Sequence, residues 1–182
     1  RTPQKIMDAF TTLPDVKDVI AKGPTKSSVL TKDDIQVDMR VVDRSSYGAA
    51  LMYFTGSKEH NIKLRQIAIK KGLKLNEYGI FKGKRRIAGK TEEEMYKALG
   101  LSYIEPELRE DRGELEAGFN NKLPDLIELG DIKGDLHAHS TWSDGESSIE
   151  DIVIKAREIG YEYIAITDHS QSLKIAGGLN AH

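Results

Sequence analysis

Apolar positions recur at helical spacing over residues 3–12 (PQKIMDAFTT) and 14–22 (PDVKDVIAK). Each segment has a proline near its first turn, where a missing N–H costs nothing, so two short helices are predicted. Gly23-Pro24 breaks the pattern. Residues 27–30 and 36–42 then read as strands. In QVDMRVV the alternation sends Val37, Met39 and Val41 to a core face and Gln36, Asp38 and Arg40 to the other. Residues 45–54 and 57–71 are helical in period, joined at Thr55-Gly56, with Ser57 as N-cap and Gly72 as stop. On the second of these helices Ile62 and Ile69 are expected inside, while Asn61 and Arg65, four apart, share another face.

Further along, LKLNEY, GIFKG and RRIAG suggest a small sheet or hairpin, and TEEEMYKALG a helix capped by Thr91 with Glu94 three residues on. Residues 101–132 are acidic and loop-rich with a short helix at 113–120, and read as a linker or covering segment. Beyond them GDLHAH is a strand, 149–159 an amphipathic helix and YIAIT a nearly continuous apolar strand. That order makes a βαβ unit with parallel strands covered on both faces.

Composition narrows the chemistry. At 182 residues, with 38% hydrophobic and 31% charged residues, the chain can bury a core, and no apolar run approaches the ~20 residues of a membrane span. It has no cysteine, so any metal must be held by His and carboxylate; this fits a cytoplasmic protein. Beginning at Arg1 without a signal-peptide pattern, it reads as an internal piece of a longer protein. The formal net charge of −2 offers no global attraction to nucleic acid, so DNA binding would rest on local basic patches, within Lys58–Lys71 and at KGKRR (82–86).

The candidate chemistry has two centres. In GDLHAHSTWSDG, His137 and His139 alternate onto one face of a strand, and Asp144 can fold back from the loop. The next parallel strand brings Asp168 and His169 to the same carboxyl-end rim, where such folds place their sites. Three imidazoles and one or two carboxylates suit Zn²⁺, Mn²⁺ or Fe²⁺, and an ion open to water serves phosphoester hydrolysis. The plainer reading is a polar loop. His182 reads as a chain-end residue. In YFTGSKEHNIKLR (53–65), Asn61 can hydrogen-bond a base edge, Arg65 can reach a template base or sugar, and Tyr53 can stack. Spacing alone leaves these as a solvated helix face. Asp38, opposite Val37 and Met39 on its strand, is expected to be exposed, and its plain reading is a surface ion-pair partner of Arg40 or Lys32.

DLHAHSTWSDG followed by AITDHS resembles the first two motifs of the polymerase-and-histidinol-phosphatase (PHP) family. The resemblance implies a distorted (β/α)₇ barrel with a multinuclear metal site for phosphoester hydrolysis, with His137, His139, Asp144 and His169 as ligands and Zn²⁺ or Mn²⁺ as the ion. It covers residues from about 133 onward, so the site is expected to be incomplete. Residues 24–110, including VDMRVVD, YFTGS, KEHN..LR and LNEYGI, resemble family X DNA polymerases, relatives of polymerase beta. That implies Mg²⁺ held by three palm aspartates, of which Asp38 matches the third. It implies an Arg40–Glu77 closing switch, Tyr53, Phe54 and Gly56 lining the incoming deoxynucleoside triphosphate, Asn61 at its base, and Arg65 on the template. No Asp-x-Asp occurs in the chain. The expected fold is thus an α+β nucleotide-binding subdomain (palm end and thumb/fingers) followed by a partial α/β unit of the PHP-type distorted barrel. The expected divisions are 1–43 palm, 44–110 nucleotide-binding subdomain, 111–132 linker and 133–182 PHP. The function implied is gap-filling DNA repair on gapped or primer-template DNA, with a 3′-5′ exonuclease or related phosphoesterase. The competing readings are a stand-alone PHP phosphoesterase, such as a histidinol-phosphatase relative, and a non-catalytic DNA-binding fragment; the 182 residues alone are expected to be inactive.

Overall fold

The computed structural model describes residues 2–180, in two compact units that divide between Leu123 and Pro124. In the first unit, α1 (Pro3–Thr11) packs on a three-stranded antiparallel sheet, β1 (Val16–Lys22), β2 (Lys26–Thr31) and β3 (Gln36–Arg40), in that order. The predicted helix over 14–22 is therefore wrong: those residues are β1. Val16, Val19 and Ile20 satisfy helical spacing as well as a β-branched strand, and the choice is made by pairing with β2, closed by Gly23 N–H donating to Lys26 O at 2.8 Å. The core face predicted for β3 is also only partly realised. Val37 is 38% exposed and Met39 is half-buried, although Val29, the partner of Val37, is buried.

The rest of the unit is built on helices α2 (Tyr47–Phe54) and α3 (Lys58–Lys70). Three short antiparallel strands follow, β4 (Lys74–Asn76), β5 (Gly79–Lys82) and β6 (Arg85–Ala88), then α4 (Glu92–Ala98) and α5 (Glu114–Phe119). Ser57 and Thr91 cap α3 and α4 as expected, accepting from His60 N–H (3.1 Å) and Glu94 N–H (3.3 Å). Met52, Leu64, Ala68, Ile80, Met95, Tyr96, Leu99, Ile104 and Leu115 form the core. Each large member contributes roughly 1.5–3 kcal/mol over its exposed state. The inward line of α3 is His60, Leu64 and Ala68, four residues apart, with Asn61 beside it. Ile69, expected inside, is 70% exposed, and Ile62 is half-buried. Leu115 carries α5 into this core, so residues 111–123, read from sequence as linker, pack with the first unit.

Gly48 is where α2 meets the β6–α4 turn. Its N–H donates to Lys90 O at 3.1 Å, and a Cβ there would run into the backbone of Thr91. Gly48→Ala is expected to lower stability by about 1–3 kcal/mol despite alanine's better helix propensity. Urea unfolding followed by far-UV circular dichroism checks this, and an unchanged midpoint would mean the two backbones part freely.

In the second unit, β7 (Gly134–Ala138) and β8 (Tyr163–Ile166) are parallel, linked by α6 (Ile149–Glu158), which packs on β8. Ser148 caps α6, accepting from Asp151 N–H at 3.1 Å. This is the predicted βαβ unit. The expected cover on both faces is absent among the described residues: Leu136 and Tyr163 are exposed. A single-stranded read of the apolar pattern cannot say how much of it is covered.

Candidate nucleotide-binding and metal sites

In the first unit the turn between α2 and α3 depends on Gly56, at φ +92°, a left-handed conformation that L side chains resist. The turn is also pressed against Arg109: a Cβ on Gly56 would lie 2.5 Å from that of Arg109, whose carbonyl accepts from Ser57 N–H at 2.7 Å. Tyr53 and Phe54 meet edge to face at 5.0 Å. Arg40 lies over Phe54 (5.1 Å) and donates to Glu77 Oε1 at 3.2 Å; Arg65 lies over Tyr53 (5.9 Å). The two aromatic rings are thus flanked by a guanidinium on either side, Arg40 on Phe54 and Arg65 on Tyr53, and both of those contacts have the favourable sign of a cation over a ring face. Asn61 is not on a solvated face: it is 8% exposed, its Nδ2 donates to Ser57 O at 3.2 Å, and its Oδ1 is buried with no partner. An unpartnered buried acceptor is costly, and it is free to receive a donor from a ligand.

Asp38 pairs with neither Arg40 nor Lys32. Its carboxylate accepts from Ser28 Oγ across the β2–β3 ladder and from Gln36 Nε2 (3.4 Å), and these donors, with Lys26 nearby, hold its pKa below the usual carboxylate range. Asp38 is exposed and ionised, and belongs to no group of three or more metal-capable side chains among the described residues. By itself it does not make a Mg²⁺ site.

Sequence reasoning missed the network behind this turn. His60 Nδ1 lies 2.6 Å from Glu114 Oε1, and its Nε2 lies 3.0 Å from the Tyr96 hydroxyl. Glu114 also accepts from the N–H groups of Asp111 (3.0 Å) and Arg112 (2.7 Å). Burial pushes the His60 pKa down, outweighing the opposing pull of Glu114. The ring is then neutral, donating from Nδ1 to the carboxylate and accepting the tyrosine O–H at Nε2. Burial would raise Glu114, but the hydrogen bonds from His60 and the backbone outweigh it and hold the carboxyl below its ordinary value. Burial raises the Tyr96 phenol, keeping it a donor. Both His60 and Glu114 have folded pKa values below their unfolded ones. As pH falls through the ordinary histidine range near ~6.5 and then the carboxylate range, the unfolded chain binds protons first and stability is lost. Thermal midpoints of the first unit are expected to fall steadily from about pH 7.5 to about pH 5, and His60→Gln is expected to flatten the upper part of that slope. Melts by circular dichroism at several pH values check it; a flat wild-type profile would overturn it.

In the second unit the motif residues converge. His137 Nε2 and His139 Nε2 are 2.8 Å apart, with ring centroids at 4.9 Å, and the His139 and His169 rings at 4.5 Å. Asp144 Oδ1 lies 3.2 Å from His139 Nδ1, and its Oδ2 3.5 Å from His169 Nε2. One ligand atom from each of His139, Asp144 and His169 falls within 4.8 Å of the others. His139 Nδ1 is buried and makes no hydrogen bond despite Asp144's proximity. Lone pairs gathered on one point, one of them orphaned, are what a divalent cation satisfies, so His139, Asp144 and His169 fit a metal, with the exposed His137 ring against His139. Asp168, expected at the rim as a possible ligand, is otherwise engaged. It accepts from Ser140 N–H (2.7 Å), Ser140 Oγ (2.6 Å) and Ser143 Oγ (2.6 Å), which lower its pKa, and so fixes the turn between the ligands. His182 lies outside the described residues.

The first unit, with its Gly56 turn, and the second, with its histidine cluster, each match a known family. The DNA polymerase beta thumb model matches residues 50–110 and the PHP domain model residues 135–177. In that order the two matches are similar to the family X DNA polymerases that carry a PHP domain. It is 45% identical over 183 aligned residues to the DNA polymerase/3'-5' exonuclease PolX of Bacillus subtilis, which takes in 98% of this chain and 32% of that protein. Repair DNA polymerase X of African swine fever virus (isolate Tick/South Africa/Pretoriuskop Pr4/1996) is 35% identical over 80 residues, 43% of this chain and 46% of the relative. A ternary complex of Leishmania infantum polymerase beta is 27% identical, covering 58% of this chain and 50% of that one, with a TM-score of 0.49. The chain thus spans about a third of the Bacillus relative's length. No helix among the described residues is long and apolar enough to cross a membrane.

Proposed function

We propose that the whole protein is a gap-filling repair DNA polymerase whose PHP unit is a metal-dependent phosphoesterase acting as a 3′-5′ exonuclease. The observation that carries this is the likeness to the Bacillus polymerase/exonuclease, which runs through both units in one order. The stand-alone phosphoesterase is set aside because residues 50–110 match a polymerase thumb.

In the polymerase role, Asp38 is one of the carboxylates for Mg²⁺, the others lying outside these 182 residues. Tyr53, Phe54 and Gly56 line the sugar of the incoming deoxynucleoside triphosphate. Asn61 meets its base through the free Oδ1, and Arg65 meets the template strand of primer-template or gapped DNA. The Arg40–Glu77 pair is the switch that exchanges partners on closing. Residues 1–43 are the palm end, 44–110 the nucleotide-binding subdomain, and 133–182 the start of a distorted barrel. In that barrel His137, His139, Asp144 and His169 hold Zn²⁺ or Mn²⁺. Such an ion supplies Lewis acidity to a phosphoester, while Asp168, through Ser140 and Ser143, keeps Asp144 and His139 facing one another.

The 182 residues themselves are expected to bind gapped DNA without extending it. Fluorescence anisotropy with a labelled gapped duplex should show affinity falling steeply with salt, each phosphate contact adding roughly −0.9 to the slope of log K against log salt. Arg65→Ala should weaken binding. A salt-insensitive affinity would sink the DNA-binding reading, and extension with Mg²⁺ and nucleotides would sink the assignment of the missing acids to residues outside this chain.

A further inference from the structure

The turn that separates His139 from Asp144 carries the only tryptophan of the chain, and its indole is 63% exposed. The backbone beneath it is held on all sides. Trp142 N–H donates to Ser140 Oγ (3.1 Å), Thr141 N–H to Ser147 O (2.9 Å), and Ser143 and Gly145 N–H both to Ser140 O (3.1 and 2.9 Å). Ser140 is fully buried and anchored, with Ser143, on the Asp168 carboxylate. Gly145 completes the turn so close to His139 that a Cβ would meet its carbonyl. An aromatic ring on a pinned loop has little conformational freedom to lose on binding, and here it is flanked by two ligands of the metal cluster. The charge of the unit sharpens the question of what holds a substrate there. Residues 124–182 contain four Lys and Arg against eleven Asp and Glu. Long-range attraction cannot gather a polyanion onto such a surface, so recognition must come from the cation and from groups indifferent to charge.

Resting on the phosphoesterase reading, we propose that Trp142 is the base-stacking residue of the PHP site. An unpaired nucleobase lies on the indole while the neighbouring phosphodiester reaches the His137–His139–Asp144–His169 cluster. Every base has a π-face, so such a platform selects single-stranded nucleic acid over small phosphate esters without selecting sequence. Frayed or unpaired strand ends are the substrate class this implies.

The single tryptophan is its own probe. The full 182-residue chain with Zn²⁺ is titrated with a single-stranded thymidine hexanucleotide, and separately with a hexamer of abasic deoxyribose phosphates. The thymidine strand is expected to quench Trp142 emission at concentrations about tenfold or more below those at which the abasic strand acts. Equal quenching by both, or none by either, would overturn the proposal, as would an emission that acrylamide cannot reach, which would mean the ring is covered. Zinc calorimetry separates this failure from that of the underlying reading. Trp142→Ala should bind Zn²⁺ like wild type. If wild type itself binds none, the metal site falls and the stacking role with it. If Zn²⁺ binds normally and quenching does not depend on the base, only the stacking role falls.

Discussion

Arg109→Ala is expected to destabilise the first unit by about 3–5 kcal/mol, the usual cost of removing one partner of a buried pair. The guanidinium is fully buried. It donates to Glu92 at 2.6 Å, to the Ile104 carbonyl at 3.0 Å and to the Tyr103 hydroxyl at 3.4 Å, and lies over the rings of Tyr96 (5.3 Å) and Tyr103 (5.6 Å). Alanine leaves the Glu92 carboxylate buried with only the Tyr103 hydroxyl, and opens a cavity between two tyrosines. Lysine is not a remedy, because a single ammonium cannot reproduce the fork that joins a carboxylate to a carbonyl. Arg109→Met combined with Glu92→Gln removes both charges and is expected to recover much of the loss. Far-UV circular dichroism should show the early transition, while Trp142 emission, which reports the second unit, stays put. A single-mutant midpoint within error of wild type would remove the network from the explanation of how the Gly56 turn is held.

His139→Ala should lower Zn²⁺ affinity by more than the ~10–100-fold typical of losing an outer partner of a metal ligand. His139 faces His137 through one nitrogen and Asp144 through the other, so its removal breaks the cluster in the middle. Asp168→Asn, which weakens three hydrogen bonds to the turn and touches no ligand atom, should fall within that ~10–100-fold range. Isothermal titration calorimetry orders the three proteins. Equal weak binding by all of them would return residues 137–169 to a polar loop.

The two centres differed in how far they could be read in advance. The metal cluster is short-range: HxH on a strand places two rings on one face whatever the rest of the chain does, and a parallel partner brings His169 alongside. The Gly56 turn was legible in part. The Gly56 bend and the Ser57 cap follow from local spacing, while the Arg40–Glu77 pairing, an ion pair at 3.2 Å, was implied only by the family resemblance. The buried state of Asn61 was not. Nothing in KEHNIKLR says that its histidine faces inward, since the groups that satisfy it are Tyr96 and Glu114, some 36 and 54 residues away. Arg109 gave as little sign, a lone base in an acidic stretch that reads as linker.

Local pattern by itself determined the caps, the glycine turns, the three-stranded hairpin and the βαβ unit with its histidines, because each depends on groups within a few bonds or one strand period of one another. Tertiary structure decided the rest: Val16–Lys22 as strand instead of helix, Ile69 outside and His60 inside, Asp168 behind its turn instead of at the metal. The strand is decided by its hairpin partner, and His60 and Asp168 by hydrogen bonds to groups 28 to 54 residues away, since a buried polar group takes whatever position lets those bonds be made.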